Sequence, residues 1–246
     1  MEQFFPAALH PSSMQLTPEP IASLDPDRLR SLFERDAGIE EIRDQVRDII
    51  DRVREDGDAA LREFSREYDG VSLETIDVTA EVDQAATRVD PDVRRAIQDA
   101  AANIRNFHEE QVRTDWRIEV DGRELGRRFR PIERVGVYAP GGTAAYPSSA
   151  LMGIIPAKVA GVEEVVVATP PAEEMNPATL AAIDIAGADS VYSIGGAQAI
   201  AALAYGTETI EPVQQVVGPG NKWVTAAKAE VQGTVSIDFL AGPSEV

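Results

Sequence analysis

The sequence predicts an α/β protein in which a helical region precedes a doubly wound parallel sheet. Two observations support this prediction. After residue 135, short runs rich in valine and isoleucine alternate with helical segments, as in parallel sheets that are buried on both faces. Charge density also falls at that point, since residues 1–134 hold 20 of the 23 basic and 31 of the 42 acidic residues.

The helical region is predicted over residues 38–134, after an N-terminal arm at residues 1–37. Its first helix runs from Gly38 to Arg54 and ends at Gly57. The apolar positions of this helix, which recur at helical spacing, are Ile39, Ile42, Val46, Ile49, Ile50 and Val53. Further helices are predicted after Asp58, with Leu61, Phe64 and Tyr68, and after Asp90–Pro91, with Val93, Ile97, Ala100, Ile104 and Phe107.

A charged β-hairpin is predicted over residues 116–130, between these helices and the sheet. The alternating segment Arg117–Val120 is followed by the tight-turn pair Asp121–Gly122, and the chain then returns as a second strand. We expect residues 38–134, which include this hairpin, to be the incomplete first part of a larger domain.

The sheet is predicted over residues 135–240, and residues 241–246 are expected to start a return segment to the first domain. The five predicted strands are Val135–Tyr138, Val165–Ala168, Ser190–Ser193, Val213–Val217 and the segment that begins at Val235. A turn and a helix follow each of the first four, which is typical of a parallel sheet. Three glycine-containing turns, at 140–142, 195–196 and 218–220, should meet at the carboxyl edge, where such sheets bind ligands.

These turns favour an anionic ligand such as a pyrophosphate. Glycine lets a ligand approach the backbone, and the free N–H groups at a helix N-terminus attract an anion. The dinucleotide pattern G-x-G-x-x-G is incomplete, because Trp223 stands where the third glycine would follow Gly218 and Gly220. The alternative is that the glycines only form tight turns.

Composition excludes several classes of function. The chain of 246 residues has no cysteine, so disulfides, thiolate metal ligands and a cysteine nucleophile are excluded. Its net charge of -19 disfavours a nucleic-acid partner, and no apolar stretch reaches the roughly 18 residues of a membrane span. We therefore expect a cytoplasmic protein. The acidic, lysine-poor composition favours adaptation to concentrated salt, the alternative being a GC-rich genome that replaces lysine by arginine.

Four motifs in order resemble the histidinol dehydrogenase family. They are Tyr138–Ala144, Gly195–Thr207, Gly218–Lys228 and Ile237–Glu245. The stretch Gly57–Ser65 and the helix with Phe107–His108 are also similar to that family, so the resemblance covers residues 38–246. It implies an incomplete Rossmann-like fold with an aldehyde-dehydrogenase-like architecture. It also implies a homodimeric, zinc-containing enzyme that oxidises L-histidinol to L-histidine in two NAD-dependent steps.

The resemblance places NAD contacts at Tyr138, Gln198 and Asn221, and a substrate contact at Ser244. Each residue type suits its role, since a phenol can stack or donate and an amide both donates and accepts hydrogen bonds. Structural alternatives stay open at this point. They are a tyrosine packed on a helix, a glutamine at a helix start, an asparagine N-cap and a loop or N-cap serine.

The remaining machinery of the family is expected beyond Val246. Family members are much longer, and the resemblance puts the zinc ligands and a proton-transferring Glu–His pair after the segment Ala241–Glu245. We therefore predict no catalytic residue and no zinc ligand in this chain, and no oxidation of histidinol by the chain alone. His10 should be solvated, and His108 should lie at a helix end or at the edge of the core.

Two hypotheses follow for the chain as a whole. In the first, it is part of a longer histidinol dehydrogenase. In the second, it is a non-catalytic nucleotide-binding or dimerisation protein. We also expect the apolar helix faces of residues 38–134 to be uncovered in this chain, because the family packs them against sequence that follows Val246.

Overall fold

The computed structural model describes residues 20–33, 38–141 and 146–240. The chain divides into two compact units, one of Met1–Asp36 with Pro243–Val246 and one of Ala37–Gly242. The described part of the first unit contains helix α1 (Pro26–Phe33), which lies within the predicted arm. The Asp25 side chain caps this helix by accepting the amides of Asp27 and Arg28.

Four helices occupy the region that the sequence predicts to be helical. They are α2 (Ile39–Asp56), α3 (Asp58–Phe64), α4 (Thr79–Ala86) and α5 (Pro91–Glu109). The sequence predicts three of them and misses α4, whose one large apolar residue is the buried Val82. Gly57 ends α2 as predicted. Five of the six predicted apolar positions of α2 are buried and Ile39 is partly buried, which confirms the amphipathic pattern.

The apolar face predicted for α5 is buried only in part. Ile97 is buried and Ala100 and Ile104 are partly buried, whereas Val93 is 40% and Phe107 65% exposed. Apolar surface is therefore exposed at both ends of α5, at Val93 and at Phe107, so the expectation of uncovered faces holds for this helix only in part.

The predicted hairpin is present and follows α5 in the sequence. Strands β1 (Trp116–Val120) and β2 (Arg123–Arg127) pair in antiparallel register, and all their residues are exposed. Asp121 and Gly122 have φ values of 51° and 74°, which a two-residue type I′ turn requires.

Five parallel strands form the central sheet and confirm the predicted fold class. In spatial order they are β5 (Ser190–Ser193), β4 (Glu164–Thr169), β3 (Arg134–Tyr138), β6 (Gln215–Val217) and β7 (Ser236–Ile237). The helices between them are α6 (Pro147–Val159), α7 (Pro177–Ala186), α8 (Gly196–Tyr205) and α9 (Lys222–Val231). The chain builds outward from β3 to β5 and then returns to β6, so the strand order reverses between β3 and β6. Ligands of such sheets bind at this reversal.

Helices cover both faces of the sheet. Helices α2, α3, α8 and α9 share one core, and helices α4 to α7 share the other. The expectation of an uncovered face is therefore wrong for α2, because α8 and α9 of the same chain cover its apolar side. No helix within the described ranges is long and apolar enough to cross a membrane.

Candidate cofactor-binding site

A cleft of about 980 Å³ opens at the carboxyl edge of the sheet, where the strand order reverses. Its walls come from segments that follow β3, β4, β5 and β6 and from two segments of the helical region, one in α2 and one after α3. Residues from the three predicted glycine turns line it, namely Pro140, Gly141, Gly196, Pro219 and Gly220. The turns therefore share one edge, as predicted, while Gly142 lies outside the described residues.

Tyr138, the last residue of β3, reaches the turn at Gly195–Gly196. Its hydroxyl oxygen accepts the amide hydrogen of Gly196 at 3.1 Å, which leaves the hydroxyl hydrogen for another acceptor. Burial and the nearby charge of Asp69 raise the pKa of this phenol, whereas the hydrogen bond from Gly196 lowers it. The net pKa lies above the ordinary value, so Tyr138 is a neutral donor in the cleft.

Gln198 lies in the first turn of α8 and is almost completely buried. Gly196 has a φ of 64°, and a Cβ atom there would lie 2.7 Å from Gln198 Oε1. The glutamine side chain therefore folds back over the turn. Its position is the helix start that the structural alternative predicts, and it also lines the cleft, as a cofactor contact must.

Gly218, which begins the next turn, is held by an ion pair. The Lys228 ammonium donates to the Gly218 carbonyl oxygen at 3.0 Å, and Asp238 accepts the Gly218 amide at 2.9 Å. Lys228 also bonds to Asp238 directly, and their side chains are only 4% and 19% exposed. Gly218 has a φ of 117°, and a Cβ atom there would lie 2.2 Å from the Tyr138 carbonyl oxygen, so the turn requires glycine.

Asn221 is the N-cap of α9. Its Oδ1 atom accepts the amides of Trp223 at 3.0 Å and Val224 at 3.2 Å. This is the cap that the structural alternative predicts. The side-chain NH2 group has no hydrogen-bond partner among the described residues, and Asn221 lines the cleft, so this group can donate to a ligand.

The helical region supplies a wall that the sequence analysis did not foresee. After α3 the chain makes a π-helical turn at Ser65–Asp69, a feature frequent at functional sites. Glu67, Tyr68 and Asp69 line the cleft, and the Oδ2 atom of Asp69 is buried without a hydrogen-bond partner among the described residues. Burial raises the pKa of the Asp69 carboxyl group. The nearest sequence signal is the family-like stretch Gly57–Ser65, which indicates no role.

The groups of the cleft that favour an anion are backbone groups rather than side chains. Helices α6, α8 and α9 contribute residues of their first turns or caps to the lining, and helix N-termini carry partial positive charge. Among the described residues that line the cleft, the charged side chains are those of Glu67 and Asp69. Glycine-containing turns, three helix N-termini and a volume near the upper end of ordinary ligand pockets fit a dinucleotide.

A second cavity of about 940 Å³ lies between the end of α5 and α6, with His108, Arg113 and Met152 in its lining. Gly218 and Pro219 of the third glycine turn also line this cavity, whereas none of the three predicted NAD contacts does. His108 lies in the last turn of α5, and its Nδ1 atom is 2.8 Å from Gln111 Oε1, in agreement with a helix-end role.

Comparison with known proteins decides the family. A sequence model of histidinol dehydrogenase matches residues 33–246. The chain belongs to the histidinol dehydrogenase family. The histidinol dehydrogenase of Haloarcula marismortui is 68% identical over 226 residues, which are 92% of this chain and 54% of that protein. That of Halobacterium salinarum is 66% identical over 229 residues, which are 93% of this chain and 54% of the relative.

A solved structure agrees with this family membership. The crystal structure of histidinol dehydrogenase from Elizabethkingia anophelis has a TM-score of 0.79 at 39% identity. The match covers 82% of this chain and 48% of that chain. The present chain thus spans about half the length of the curated relatives that it matches.

Family membership confirms the resemblance drawn from the four motifs. The fold brings Tyr138, Gln198 and Asn221 to one cleft, and their roles as NAD contacts stay predictions. Ser244 lies outside the described residues, so its contact with the substrate also stays a prediction.

The described residues offer no site for zinc. In residues 20–33, 38–141 and 146–240, no three His, Asp or Glu side chains are placed to hold a metal ion. The zinc ligands that the resemblance puts beyond Val246 stay a prediction, and no step through a metal is assigned to the described chain.

Proposed function

We propose that this chain is the NAD-holding part of a cytoplasmic, homodimeric histidinol dehydrogenase that oxidises L-histidinol to L-histidine through an aldehyde. The cleft at the reversal of strand order is the main support. In a chain of this family, it brings the three predicted contacts together with glycine turns and helix N-termini. Bound NAD supplies the hydride acceptor.

The chain's own residues bind and orient this cofactor. Three amides at the starts of α8 and α9, those of Gly196, Trp223 and Val224, already donate within the protein. The other amides of these first turns bind the pyrophosphate, because they lie at positive helix ends. Asn221 donates its NH2 group, Tyr138 donates its hydroxyl hydrogen, and Gln198 contributes its buried amide. The ion pair at Gly218 keeps the second turn in place before the cofactor binds.

The substrate is expected to contact Ser244 and residues that this chain does not contain. The relatives are about twice as long as the matched part, and the family's zinc and proton-transfer groups are expected in their remaining length. We therefore expect the purified chain to form no NADH from histidinol. Histidinol-dependent NADH formation by the chain alone would contradict this expectation.

Calorimetric titration of the 246-residue chain with NAD tests the proposed site. We expect saturable binding that Asn221→Ala weakens about tenfold, since a hydrogen bond to the ligand is lost. Asn176→Ala is the matched control, because Asn176 caps α7 through the amides of Ala178 and Thr179 but does not line the cleft. Both variants should lose about 1 kcal/mol of unfolding free energy, and only Asn221→Ala should lose affinity.

Two results would count against the proposal. If the parent chain gives no binding heat with NAD, the cleft is not a cofactor site. If both asparagine variants keep the parent affinity, Asn221 is a helix cap alone. Co-expression with the C-terminal half of the Haloarcula marismortui relative then separates the two hypotheses. Restored histidinol oxidation supports the enzyme, and its absence supports a non-catalytic nucleotide-binding or dimerisation protein.

We also infer that the chain is adapted to concentrated salt. Its net charge is -19 with 3 lysines, and two of its close relatives come from the halophilic genera Haloarcula and Halobacterium. In 1 M salt the screening length is about 3 Å, so repulsion among surface carboxylates largely disappears. The unfolding free energy measured with urea should therefore rise from 0.1 M to 2 M KCl. Equal or greater stability in the dilute buffer would contradict the inference.

A further inference from the structure

The cleft lacks an acidic residue where a doubly wound nucleotide-binding sheet usually has one. In such sheets an Asp or Glu that follows the second strand accepts a hydrogen bond from a ribose hydroxyl of NAD. Here the second strand of the unit, β4, ends at Thr169, and two prolines follow. Pro170 lines the cleft, but the next acidic residues, Glu173 and Glu174, do not.

A carboxylate reaches the cleft from the helical region instead. Asp69 lines the cleft, and its buried Oδ2 atom has no donor among the described residues. The other carboxylate oxygen, Oδ1, is not buried in this way and has no hydrogen-bond donor among the described residues, so a ligand hydroxyl in the cleft can donate to it. The charge of Asp69 also acts on the hydroxyl of Tyr138, so the carboxylate lies near a predicted NAD contact.

We propose that Asp69 accepts a hydrogen bond from a ribose hydroxyl of the dinucleotide and thereby selects NAD over NADP. This inference rests on the proposed function and deepens it. A ribose with free hydroxyls donates to the carboxylate, whereas a 2′-phosphate would bring further negative charge beside it. No lysine or arginine among the described residues that line the cleft offsets that charge.

Glu67 provides a comparison within the same wall. It lies on the same π-helical turn, lines the same cleft and carries the same charge, but its side chain is exposed. If long-range repulsion alone selected the cofactor, the two carboxylates would act alike. If Asp69 instead forms a direct hydrogen bond to the ribose, its substitution should change NAD affinity more than that of Glu67, and the change should not depend on salt.

The experiment is a calorimetric titration of the 246-residue chain with NAD and with NADP, for the parent, Asp69→Asn and Glu67→Gln. Asp69→Asn should weaken NAD binding about tenfold. Its affinity for NADP should stay within about twofold of the parent's or become higher. Both effects should be the same in 0.1 M and in 1 M KCl. Glu67→Gln should change either affinity less than about threefold, and that change should vanish in 1 M KCl, where screening acts within about 3 Å. Energy transfer from Trp223, which lines the cleft, to bound NADH gives an independent readout.

The outcomes separate this inference from the proposed function. The Asp69→Asn variant should fold like the parent, because the carboxylate makes no hydrogen bond that the amide would lose. If Asp69→Asn does not fold, the Asp69→Ala variant is used for the same comparison. Equal weakening of NAD and NADP, an equal effect of Glu67→Gln, or a parent without preference for NAD would overturn this inference alone. A parent that binds neither dinucleotide would overturn the proposed function as well.

Discussion

Two glycine turns border the same cleft but are held by different forces. The turn at Gly195–Gly196 is fixed by a hydrogen bond to the neutral hydroxyl of Tyr138. The turn that begins at Gly218 is fixed by the ion pair of Lys228 and Asp238. A neutral contact can relax when one partner changes, whereas loss of one partner of a buried ion pair leaves a charge without compensation. Changes at the second turn should therefore cost more stability than changes at the first.

The largest difference is expected between Gly218→Ala and Gly196→Ala. At Gly218 the new Cβ atom would lie 2.2 Å from a backbone oxygen, with a φ of 117°. At Gly196 it would lie 2.7 Å from the end of the flexible Gln198 side chain, with a φ of 64°. We expect a loss of more than about 4 kcal/mol in the first variant and about 1–2 kcal/mol in the second. Urea unfolding at fixed KCl measures both, and equal losses would end the distinction.

The next effect is expected on removal of the ion pair. Lys228→Met should lower the unfolding free energy by about 3 kcal/mol, since Asp238 is then left largely buried without its partner. Lys222→Met on the same helix is the control, because Lys222 is exposed, and it should change stability by less than about 0.5 kcal/mol. A Lys228→Met variant as stable as its control would show that the pair does not hold the turn.

A smaller effect is expected at the first turn. Tyr138→Phe removes the acceptor of the Gly196 amide, so the unfolding free energy should fall by about 1 kcal/mol. Tyr205→Phe is a suitable control, since its hydroxyl lies 3.4 Å from Thr234 Oγ1 in a partly exposed site. Losses as large as that of Lys228→Met would contradict the ranking of the two turns.

The smallest effect is a pH dependence in alkaline solution. The folded chain holds the Tyr138 proton more tightly than the unfolded chain. Burial and the charge of Asp69 raise the pKa of the phenol by more than the hydrogen bond from Gly196 lowers it. This contribution to stability is complete below the ordinary tyrosine pKa of about 10, and it is lost as the pH rises through the raised value. Tyr138→Phe should remove that loss and one late step in tyrosinate absorbance. Alkaline curves that coincide for parent and variant would contradict it.

Much of the fold was predictable because the pattern is set by burial. The central strands β3 and β4 are nearly continuous apolar runs, and α2 is an amphipathic helix with clear start and stop residues. The run Val213–Val217 shows the limit of such patterns, since only Gln215–Val217 is a strand. The Val213 amide bonds instead to the carbonyl of Leu203, which keeps this buried residue in the connection.

The parts of the candidate site that short sequence motifs contain could be predicted from the sequence. Glycine turns after strands indicated the edge of the sheet, and the family motifs indicated Tyr138, Gln198 and Asn221. Asp69 could not be found in this way, because it is far in sequence from the turns and meets the cleft only through the packing of α2 and α3 on α8. Lys228 was equally hidden, since a lysine on a helix usually points to solvent.

Because of the π-helical turn at Ser65–Asp69, the groups that line the cleft depend on how many residues this turn contains as well as on which residues they are. A π-helical turn holds one residue more than an α-helical turn of the same rise, and each residue of an α-helix turns the chain by about 100°. Deleting one residue here would rotate the Asp69 side chain by about 100° and, under the assignment proposed above, away from the ribose hydroxyl. Insertions and deletions in this short segment are therefore a route by which relatives could change cofactor preference without substituting any residue of the Rossmann-like half.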